Sequence, residues 1–280
     1  MSTAYPDVLI VGCGFTGQRV LRLMESRGLK VKGLRRSAGL DVNRPEDLAA
    51  LQRLVSPTTR VLLSVPTQRT AGGELFERTP EIMQAIAQAE RVVYLSTTGV
   101  YGAQSLVDQT TQPAPRNQRE SLRVLAEDSV LQHANAIVLR PAAIYGPGRG
   151  VHIAMREGRF ALPPDDQALT SRIHVADLAD HSAAALMSSI TGAWPVADEE
   201  PSTAHDIAAF CAELLNLPMP PVRESAELPE TRRGNRRVDG SAVRRVLEVT
   251  LRYPSYRMGI PASLQEEELM RTSSERAARG

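Results

Sequence analysis

The sequence predicts an α/β fold in which helices cover both faces of a parallel sheet. Three observations support this fold class: short apolar runs alternate with helical segments, the runs contain few polar positions, and a glycine turn follows the first run. Alternation of strands and helices is typical of βαβ units, and a strand without polar positions is covered on both faces. The expected strands are DVLIV (7–11), LKVKGL (29–34), RVLLSV (60–65), RVVYLS (91–96) and AIVLR (136–140).

Two of the intervening helices have recognisable ends. QRVLRLMESRG ends at Gly28, because glycine is the residue that most often follows a helix C-terminus. PEDLAALQRL begins at Pro45, because proline fits the first turn of a helix. Each strand therefore connects to the next through a helix, as a parallel sheet requires.

The segment RESLRVLAE, residues 119–127, has the spacing of an amphipathic helix. The apolar residues on one side are Leu122, Leu125 and Ala126. The charged residues on another side, four apart, are Arg119, Arg123 and Glu127. We interpret the two arginines as a solvated helix face, and an anion clamp is the alternative.

After residue 150 the alternation weakens, and proline and arginine concentrate in two stretches. This change predicts a smaller C-terminal lobe beside the sheet domain. The predicted division is 1–150 and 172–212 for the sheet domain, 151–171 and 213–265 for the lobe, and 266–280 for a polar tail.

Composition narrows the possible partners and location. The 33 basic and 32 acidic residues leave a net charge of +1, which argues against nucleic-acid binding driven by global charge. Cys13 and Cys211 lie far apart in the sequence, which favours a reducing compartment and predicts no metal site. Since the sequence shows neither a signal-peptide pattern nor an 18-residue apolar run, we expect a cytoplasmic protein without a membrane partner.

The glycine turn VGCGFTG places Gly12, Gly14 and Gly17 in the spacing GxGxxG between the first strand and a helix. The first glycine permits the tight turn, the second lets a diphosphate approach the backbone, and the third packs the helix on the strand. With Phe15 and Thr16 between them, these residues predict a dinucleotide site at a helix N-terminus and a Rossmann-type sheet.

The residues after the second strand bear on which dinucleotide is bound. A binder of NAD usually has an acidic residue there, whereas this chain has Arg35 and Arg36, which could hold the 2′-phosphate of NADP. We therefore predict NADP over NAD, and two solvated turn arginines are the alternative. Asp41 is a candidate for the adenine side of the pocket or a plain turn residue. Val65 and Pro66, where the third strand ends, complete the expected cofactor contacts.

The fourth strand ends in the hydroxyl-rich segment STTGVYG. Ligands of open α/β sheets bind at the carboxyl ends of the strands, so the residues of this segment are candidates for the site. They are Ser96 for the cofactor, Thr97 and Tyr101 for catalysis, and Thr98 for the substrate.

Together with the glycine turn and the segments LRPAAIYGPGR (139–149) and RIHVADLA (172–179), this order of motifs resembles the extended short-chain dehydrogenase/reductase superfamily, the branch of nucleotide-sugar epimerases and dehydratases. The resemblance runs from about residue 7 to residue 262. It implies that Thr97 corresponds to a catalytic hydroxyl, that Pro141 lies near the nicotinamide, and that Arg149 borders the substrate.

The same resemblance implies a catalytic tyrosine and lysine four residues apart on the next helix. Counted back from Glu127, these positions hold Arg119 and Arg123. Arginine stays protonated at working pH and cannot cycle a proton. The sequence therefore resembles the atypical members of the superfamily, which have lost this pair.

Tyr101 and Tyr145 could replace the missing phenol, with structural packing as the alternative for each. His174 and Asp177 are expected to be structural. A cluster of arginines after residue 231, which includes Arg236, could bind an anionic substrate or form solvated surface.

We therefore expect an NADP-binding atypical short-chain dehydrogenase/reductase, an oxidoreductase or epimerase-like enzyme for a small polar, sugar-like or phosphorylated substrate. The alternative is a non-catalytic NADP sensor or scaffold, which the loss of the Tyr-Lys pair motivates. The resemblance also allows a homodimer.

Overall fold

The computed structural model describes residues 5–38, 40–165, 167–224, 227 and 234–277. Its strands are β1 Val8–Val11, β2 Val31–Leu34, β3 Arg60–Leu63, β4 Gln68–Arg69, β5 Leu75–Phe76, β6 Arg91–Leu95, β7 Leu106–Val107, β8 Ala136–Pro141, β9 Ala143–Tyr145, β10 Arg172–His174, β11 Gly192–Val196 and β12 Arg237–Val238. Its helices are α1 Gly17–Ser26, α2 Pro45–Gln52, α3 Thr79–Ala85, α4 Gln118–Leu131, α5 Val151–Arg156, α6 Val175–Met187, α7 Ala204–Leu215, α8 Ser241–Leu247 and α9 Tyr256–Ala277.

The main sheet has the strand order β11-β8-β6-β3-β1-β2, and all neighbouring strands pair in parallel. The predicted fold class and the predicted strands are confirmed. The edge strand β11 was not predicted, because its sequence GAWPV contains Pro195. Proline interrupts a strand pattern, but an edge strand tolerates it where no hydrogen bond is needed from that nitrogen.

Helices cover both faces of this sheet and form two cores. On one face α1, α6 and α8 pack against the sheet through residues such as Met24, Leu178 and Val243. On the other face α2, α3 and α4 contribute Leu51, Ile82 and their neighbours. Fully burying one such side chain contributes about 1.5 to 3 kcal/mol, so both layers stabilise the sheet.

The predicted helix ends agree with the structure. Gly28 follows α1 with a φ of 81°, a conformation that glycine adopts without strain, and α2 begins at Pro45. Within the described ranges, no helix is both long enough and apolar enough to cross a membrane.

A third core joins α5, α7 and the start of α9, through residues such as Phe160, Ile207 and Tyr256. The apolar face of α7, most of which the predicted division assigns to the sheet domain, packs on α5 in this core. α9 continues to Ala277, so the predicted polar tail is helical as far as that residue, and the division into domains stays a prediction. Glu266 and Glu267 on this helix contact Arg19 and Gly148 of the sheet domain.

The buried face of α4 only partly matches the predicted apolar side, from which Ala126 is buried. Leu125 is 52% exposed, whereas Arg123 and Glu127 are buried. The prediction that Arg123 belongs to a solvated face was therefore wrong. A buried charge must be paired or hydrogen-bonded. Arg123 and Glu127 both meet this requirement, because each has buried polar partners.

Candidate functional site

The carboxyl ends of β1, β3, β6 and β8 open into a cleft with a volume of about 1020 Å³. The segments that follow these strands form one wall, and α5, the start of α7 and residues near β12 contribute the opposite wall. The predicted site residues that line it are Gly12, Gly14, Phe15, Thr16, Val65, Pro66, Ser96, Thr97, Thr98, Pro141, Tyr145, Arg149 and Arg236. Those outside its lining are Gly17, Arg35, Arg36, Asp41 and Tyr101.

The glycine turn has the shape that a dinucleotide requires. Gly12 has a φ of 91°, and a Cβ there would lie 2.4 Å from the carbonyl oxygen of Ser64. A Cβ on Gly14 would have no neighbour closer than 4.0 Å, so this glycine leaves space on the cleft side. A Cβ on Gly17 would lie 3.1 Å from Ile10 Cγ2, which keeps α1 close to β1. These constraints fit a dinucleotide held at the N-terminus of α1.

Arg35 and Arg36 are exposed directly after β2, beside the glycine turn. The backbone nitrogens of Gly12 and Cys13 donate to the carbonyl oxygen of Leu34, which fixes the end of β2 next to that turn. Arg36 donates to Gln68 Oε1 at 2.5 Å, and its Nε lies 3.6 Å from Asp41 Oδ1.

Asp41 belongs to the same polar network as Arg36. Its Oδ1 accepts hydrogen bonds from both the backbone nitrogen and the side-chain amide of Asn43. The structure therefore engages this carboxylate within its own loop and places it beside Arg36 rather than on the lining of the cleft.

Thr97 is placed to present a proton to the cleft. It caps the 3₁₀ turn Thr98–Tyr101, where its Oγ1 accepts a hydrogen bond from the backbone nitrogen of Gly99 at 3.0 Å. A hydroxyl that accepts from the backbone still has its own proton to donate. By contrast, Ser96 Oγ donates its proton to the buried carboxylate of Glu127.

The structure does not place Tyr101 at the cleft. The residue is fully buried, and its hydroxyl accepts a hydrogen bond from Arg140 Nη1 at 3.1 Å. Arg140 in turn binds Glu127, with 2.6 Å between Nη2 and Oε2. Burial raises the pKa of Tyr101, although Arg140 partly opposes this effect. The predicted catalytic role of Tyr101 therefore gains no support, because its phenol completes a buried structural network.

Tyr145 lines the cleft, but its hydroxyl is already used. Its Oη donates to the carbonyl oxygen of Ser255 at 3.2 Å, and burial raises its pKa far above the ordinary value. α9 passes so close that a Cβ on Gly259 would lie 2.2 Å from this oxygen. Tyr145 thus connects the sheet domain to α9.

His174 and Asp177 join the same two parts of the fold, in agreement with the structural role expected for them. The ring of His174 lies between Tyr145 and Tyr253, and its Nδ1 accepts from the backbone nitrogen of Ala176 at 3.2 Å. Burial lowers the pKa of His174 to about 3. The carboxylate of Asp177 accepts hydrogen bonds from the backbone before α9.

Arg123 forms the floor of the cleft, a role that its position in an amphipathic pattern did not reveal. Its two Nη atoms donate to the carbonyl oxygens of Val65 at 3.0 Å and Leu95 at 2.9 Å, and Nη1 lies 3.4 Å from Glu77 Oε2. The guanidinium therefore joins the ends of the adjacent strands β3 and β6.

Lysine is absent from the described lining of the cleft, and Tyr145 is the tyrosine found there. The whole sequence contains two lysines, Lys30 and Lys32. Lys30 directly precedes β2 and Lys32 is its second residue, towards the end of the sheet away from the cleft. A phenol assisted by a neighbouring ammonium group is therefore not available from this chain's described cleft.

The described lining is strongly basic. It contains Arg116, Arg119, Arg123, Arg149, Arg159, Arg172 and Arg236, and Glu120 is its acidic residue. Arg236 donates to the backbone carbonyl oxygens of Gly102 and Gln104, which binds the lobe to the sheet domain. No group of three or more potential metal ligands was found among the described residues.

A parallel, doubly wound sheet with a glycine turn at its carboxyl edge defines a dinucleotide-binding α/β protein. The model of the NAD dependent epimerase/dehydratase family matches residues 8–190. The chain belongs to this family.

Two solved structures have the same fold as this chain. The chain resembles a functionally unknown conserved protein from Silicibacter pomeroyi, with 30% identity, a TM-score of 0.71, and coverage of 92% of this chain and 98% of that one. It shares its fold with UDP-glucose 4-epimerase of Thermus thermophilus in complex with NAD, at 19% identity, a TM-score of 0.76, and coverage of 93% and 98%.

One curated relative matches over a shorter stretch. Over 99 residues the chain is 32% identical to a 3-diazoavenalumate denitrifying reductase of a Streptomyces species, and the match covers 33% of each chain. The match therefore spans about a third of the length of that relative.

Proposed function

We propose that this protein is an NADP-dependent oxidoreductase or epimerase-like enzyme that acts on a small polar, sugar-like or phosphorylated substrate. One observation carries the proposal: the glycine turn and the Thr97 hydroxyl open onto the same cleft. A dinucleotide held by the first would reach the strand ends where the second can contact a substrate. Family membership and the partial match to a reductase support redox chemistry.

The residues around the glycine turn divide the work of cofactor binding. The backbone at Gly14 and Thr16 would hold the diphosphate, because the N-terminus of a helix favours an anion. The first turn of α1, all of which the structure describes, contains no acidic residue that would repel it. Arg35 and Arg36 would bind the 2′-phosphate. When bound, NADPH would donate a hydride to a carbonyl substrate, and NADP+ would accept one from a hydroxyl substrate.

Thr97 and Arg119 are the residues that we assign to the reacting group. Thr97 would donate a hydrogen bond to the substrate oxygen, because its Oγ1 is fixed by the backbone nitrogen of Gly99. Arg119 is exposed on the lining of the cleft, where the family resemblance places a phenol. It would supply positive charge beside an oxygen that becomes negative, while the proton itself comes from water.

The excess of arginine in the cleft favours a substrate with a negative charge. Arg116 and Arg119 on one wall and Arg236 on the other could bind a carboxylate or phosphate, since a guanidinium matches both in geometry. Of the expected substrate classes, the phosphorylated substrates fit this charge best.

A non-catalytic NADP sensor is the second candidate, and a specific observation supports it. The cleft offers no phenol with a free proton in its described lining, since Tyr145 donates to Ser255. In this case, cofactor binding would change the contact between lobe and sheet domain without turnover.

Binding and turnover separate the two candidates. NADPH is titrated into the purified protein by fluorescence, and its oxidation is then followed with a panel of aldehydes and ketones that carry a carboxylate or phosphate. Turnover that falls at least tenfold in Thr97→Val, with NADPH binding retained, supports the enzyme. NADPH binding that changes the oligomeric state without any turnover supports the sensor, and failure to bind NADPH contradicts both candidates.

A further inference from the structure

Arg149 lies on the wall of the cleft next to the glycine turn. Its guanidinium carbon is 5.4 Å from the centre of the Phe15 ring, and both residues line the cleft. Phe15 directly follows Gly14 in the turn before α1. The loop between β9 and α5 therefore brings a cation against the segment that would hold the diphosphate.

This loop is fixed by contacts on both sides of Arg149. The backbone nitrogens of Gly146 and Arg149 each donate to the other residue's carbonyl oxygen at 2.9 Å. The nitrogen of Gly148 donates to Glu267 Oε1 on α9 at 2.8 Å, and Glu267 also binds Arg156 at 2.7 Å. The backbone at Arg149 is thus held by the fold itself, beside the glycine turn.

Arg19 provides an informative contrast on the same aromatic ring. Its guanidinium carbon lies 5.9 Å from the centre of the Phe15 ring, but its Nη2 forms an ion pair with Glu266 at 2.9 Å. Arg149 has no acidic partner within the described part of the chain, and it is exposed. One of the two cations is therefore neutralised, and the other remains available to an anion.

We propose that Arg149 is a second anchor for the diphosphate of the dinucleotide and acts across the cleft from the backbone of the glycine turn. The helix N-terminus provides backbone donors and partial positive charge, and a guanidinium adds up to two charge-assisted hydrogen bonds. This role concerns the cofactor and not the substrate border that the family resemblance implies for Arg149. The inference rests on the proposed function, since it requires dinucleotide binding.

The test compares Arg149→Gln with the matched control Arg19→Gln. NADPH, NADH and ADP are titrated into each protein at fixed ionic strength, with ADP as the probe that carries a diphosphate but no nicotinamide. Loss of one charged hydrogen-bond donor weakens binding by about ten- to a hundredfold. Arg149→Gln should weaken all three ligands by a similar factor in that range, and Arg19→Gln should change each by less than about threefold.

Three results would overturn the inference, and they have different causes. If Arg149→Gln binds all three ligands with the affinity of the wild-type protein, Arg149 does not contact the diphosphate, and the proposed function stands. If only NADPH weakens, Arg149 binds the 2′-phosphate instead. If the unchanged protein binds none of the ligands, the proposed function fails together with the inference.

Discussion

Arg123 and Glu77 form an ion pair beneath the floor of the cleft, with 3.4 Å between Nη1 and Oε2 and both side chains buried. Glu77 also accepts hydrogen bonds from Thr67 and Thr79, on the two sides of the β4–β5 hairpin. The pair therefore fixes this hairpin to α4, while Arg123 itself joins the ends of β3 and β6. An ion pair between α4 and the segment after β5 thus organises one wall of the cleft.

Arg123→Ala should strongly destabilise the protein. It leaves Glu77 buried without a cation, which costs about 3 to 5 kcal/mol for a broken buried pair. The free energy of unfolding of Arg123→Lys should lie between those of the wild-type protein and Arg123→Ala. One ammonium group keeps the charge, but it cannot contact both carbonyl oxygens and the carboxylate as a guanidinium does. Chemical denaturation measures the free energy of unfolding.

Arg119→Ala is the matched control for this prediction, since Arg119 is one turn earlier on α4 and exposed. It should change stability by less than about 0.5 kcal/mol. Equal losses in Arg119→Ala and Arg123→Ala would show that the buried contacts of Arg123 are not stabilising.

Two glycines of the turn should respond to substitution in opposite ways. Gly14→Val should keep the fold but abolish nucleotide binding, because its side chain enters open space on the cleft side. Gly12→Ala should unfold at lower temperature, since its Cβ would meet the Ser64 carbonyl oxygen and its φ is positive. Thermal denaturation and NADPH titration of both variants check the pair, and normal NADPH affinity in Gly14→Val would contradict the assigned diphosphate site.

Tyr101→Phe and Tyr145→Phe should affect stability and leave nucleotide affinity unchanged within about twofold. Each loses one hydrogen bond, from Arg140 or to Ser255, which contributes about 0.5 to 3 kcal/mol depending on the charge of the partner. For the enzyme candidate, the pH profile of turnover should keep its shape in both variants. Loss of a limb of that profile in Tyr145→Phe would instead identify Tyr145 as the proton donor.

Stability should fall in acid partly because of His181. This ring is buried, its Nδ1 lies 2.7 Å from the carbonyl oxygen of Asp177, and burial lowers its pKa to about 4. Above pH 6.5, about the pKa of histidine in the unfolded chain, the ring is neutral in both states and the stability is at its full value. As the pH falls towards 4, the unfolded chain binds a proton at His181 that the folded protein does not bind, so the stability decreases. The loss is on the order of 2 to 3 kcal/mol.

His181→Asn is the variant that tests this effect, because its amide can still donate to Asp177 but cannot be protonated. The difference in melting temperature between pH 7.5 and pH 5 should be smaller than in the unchanged protein. An equal difference in both proteins would show that other groups cause the acid sensitivity.

Most of the sheet could be predicted from local patterns, because apolar strands and glycine or proline at helix ends are signals within a few residues. The glycine turn could also be predicted, since the spacing of its glycines follows from the backbone geometry of the turn. β11 was missed because Pro195 obscured an edge strand. Only the second half of α9 was assigned to a polar tail, because its polar residues contact partners far away in sequence, such as Arg19.

The charged face of α4 shows why the rest of the site could not be predicted. Arg123 looks like surface on a helical pattern, and only the fold brings the carbonyl oxygens of Val65 and Leu95 within its reach. In the same way Tyr101 follows a strand end, yet Arg140 from another strand engages its hydroxyl inside the protein. In both residues, hydrogen-bond partners distant in sequence determine where the side chain lies.

NADP binding through Arg35 and Arg36 is the central claim, and nucleotide affinity tests it most directly. NADPH and NADH are titrated into the unchanged protein, Arg35→Ala and Arg36→Ala. The account predicts tighter binding of NADPH than NADH, and a loss of about ten- to a hundredfold for NADPH alone in at least one variant. Equal affinities for the two nucleotides, unchanged in both variants, would contradict it.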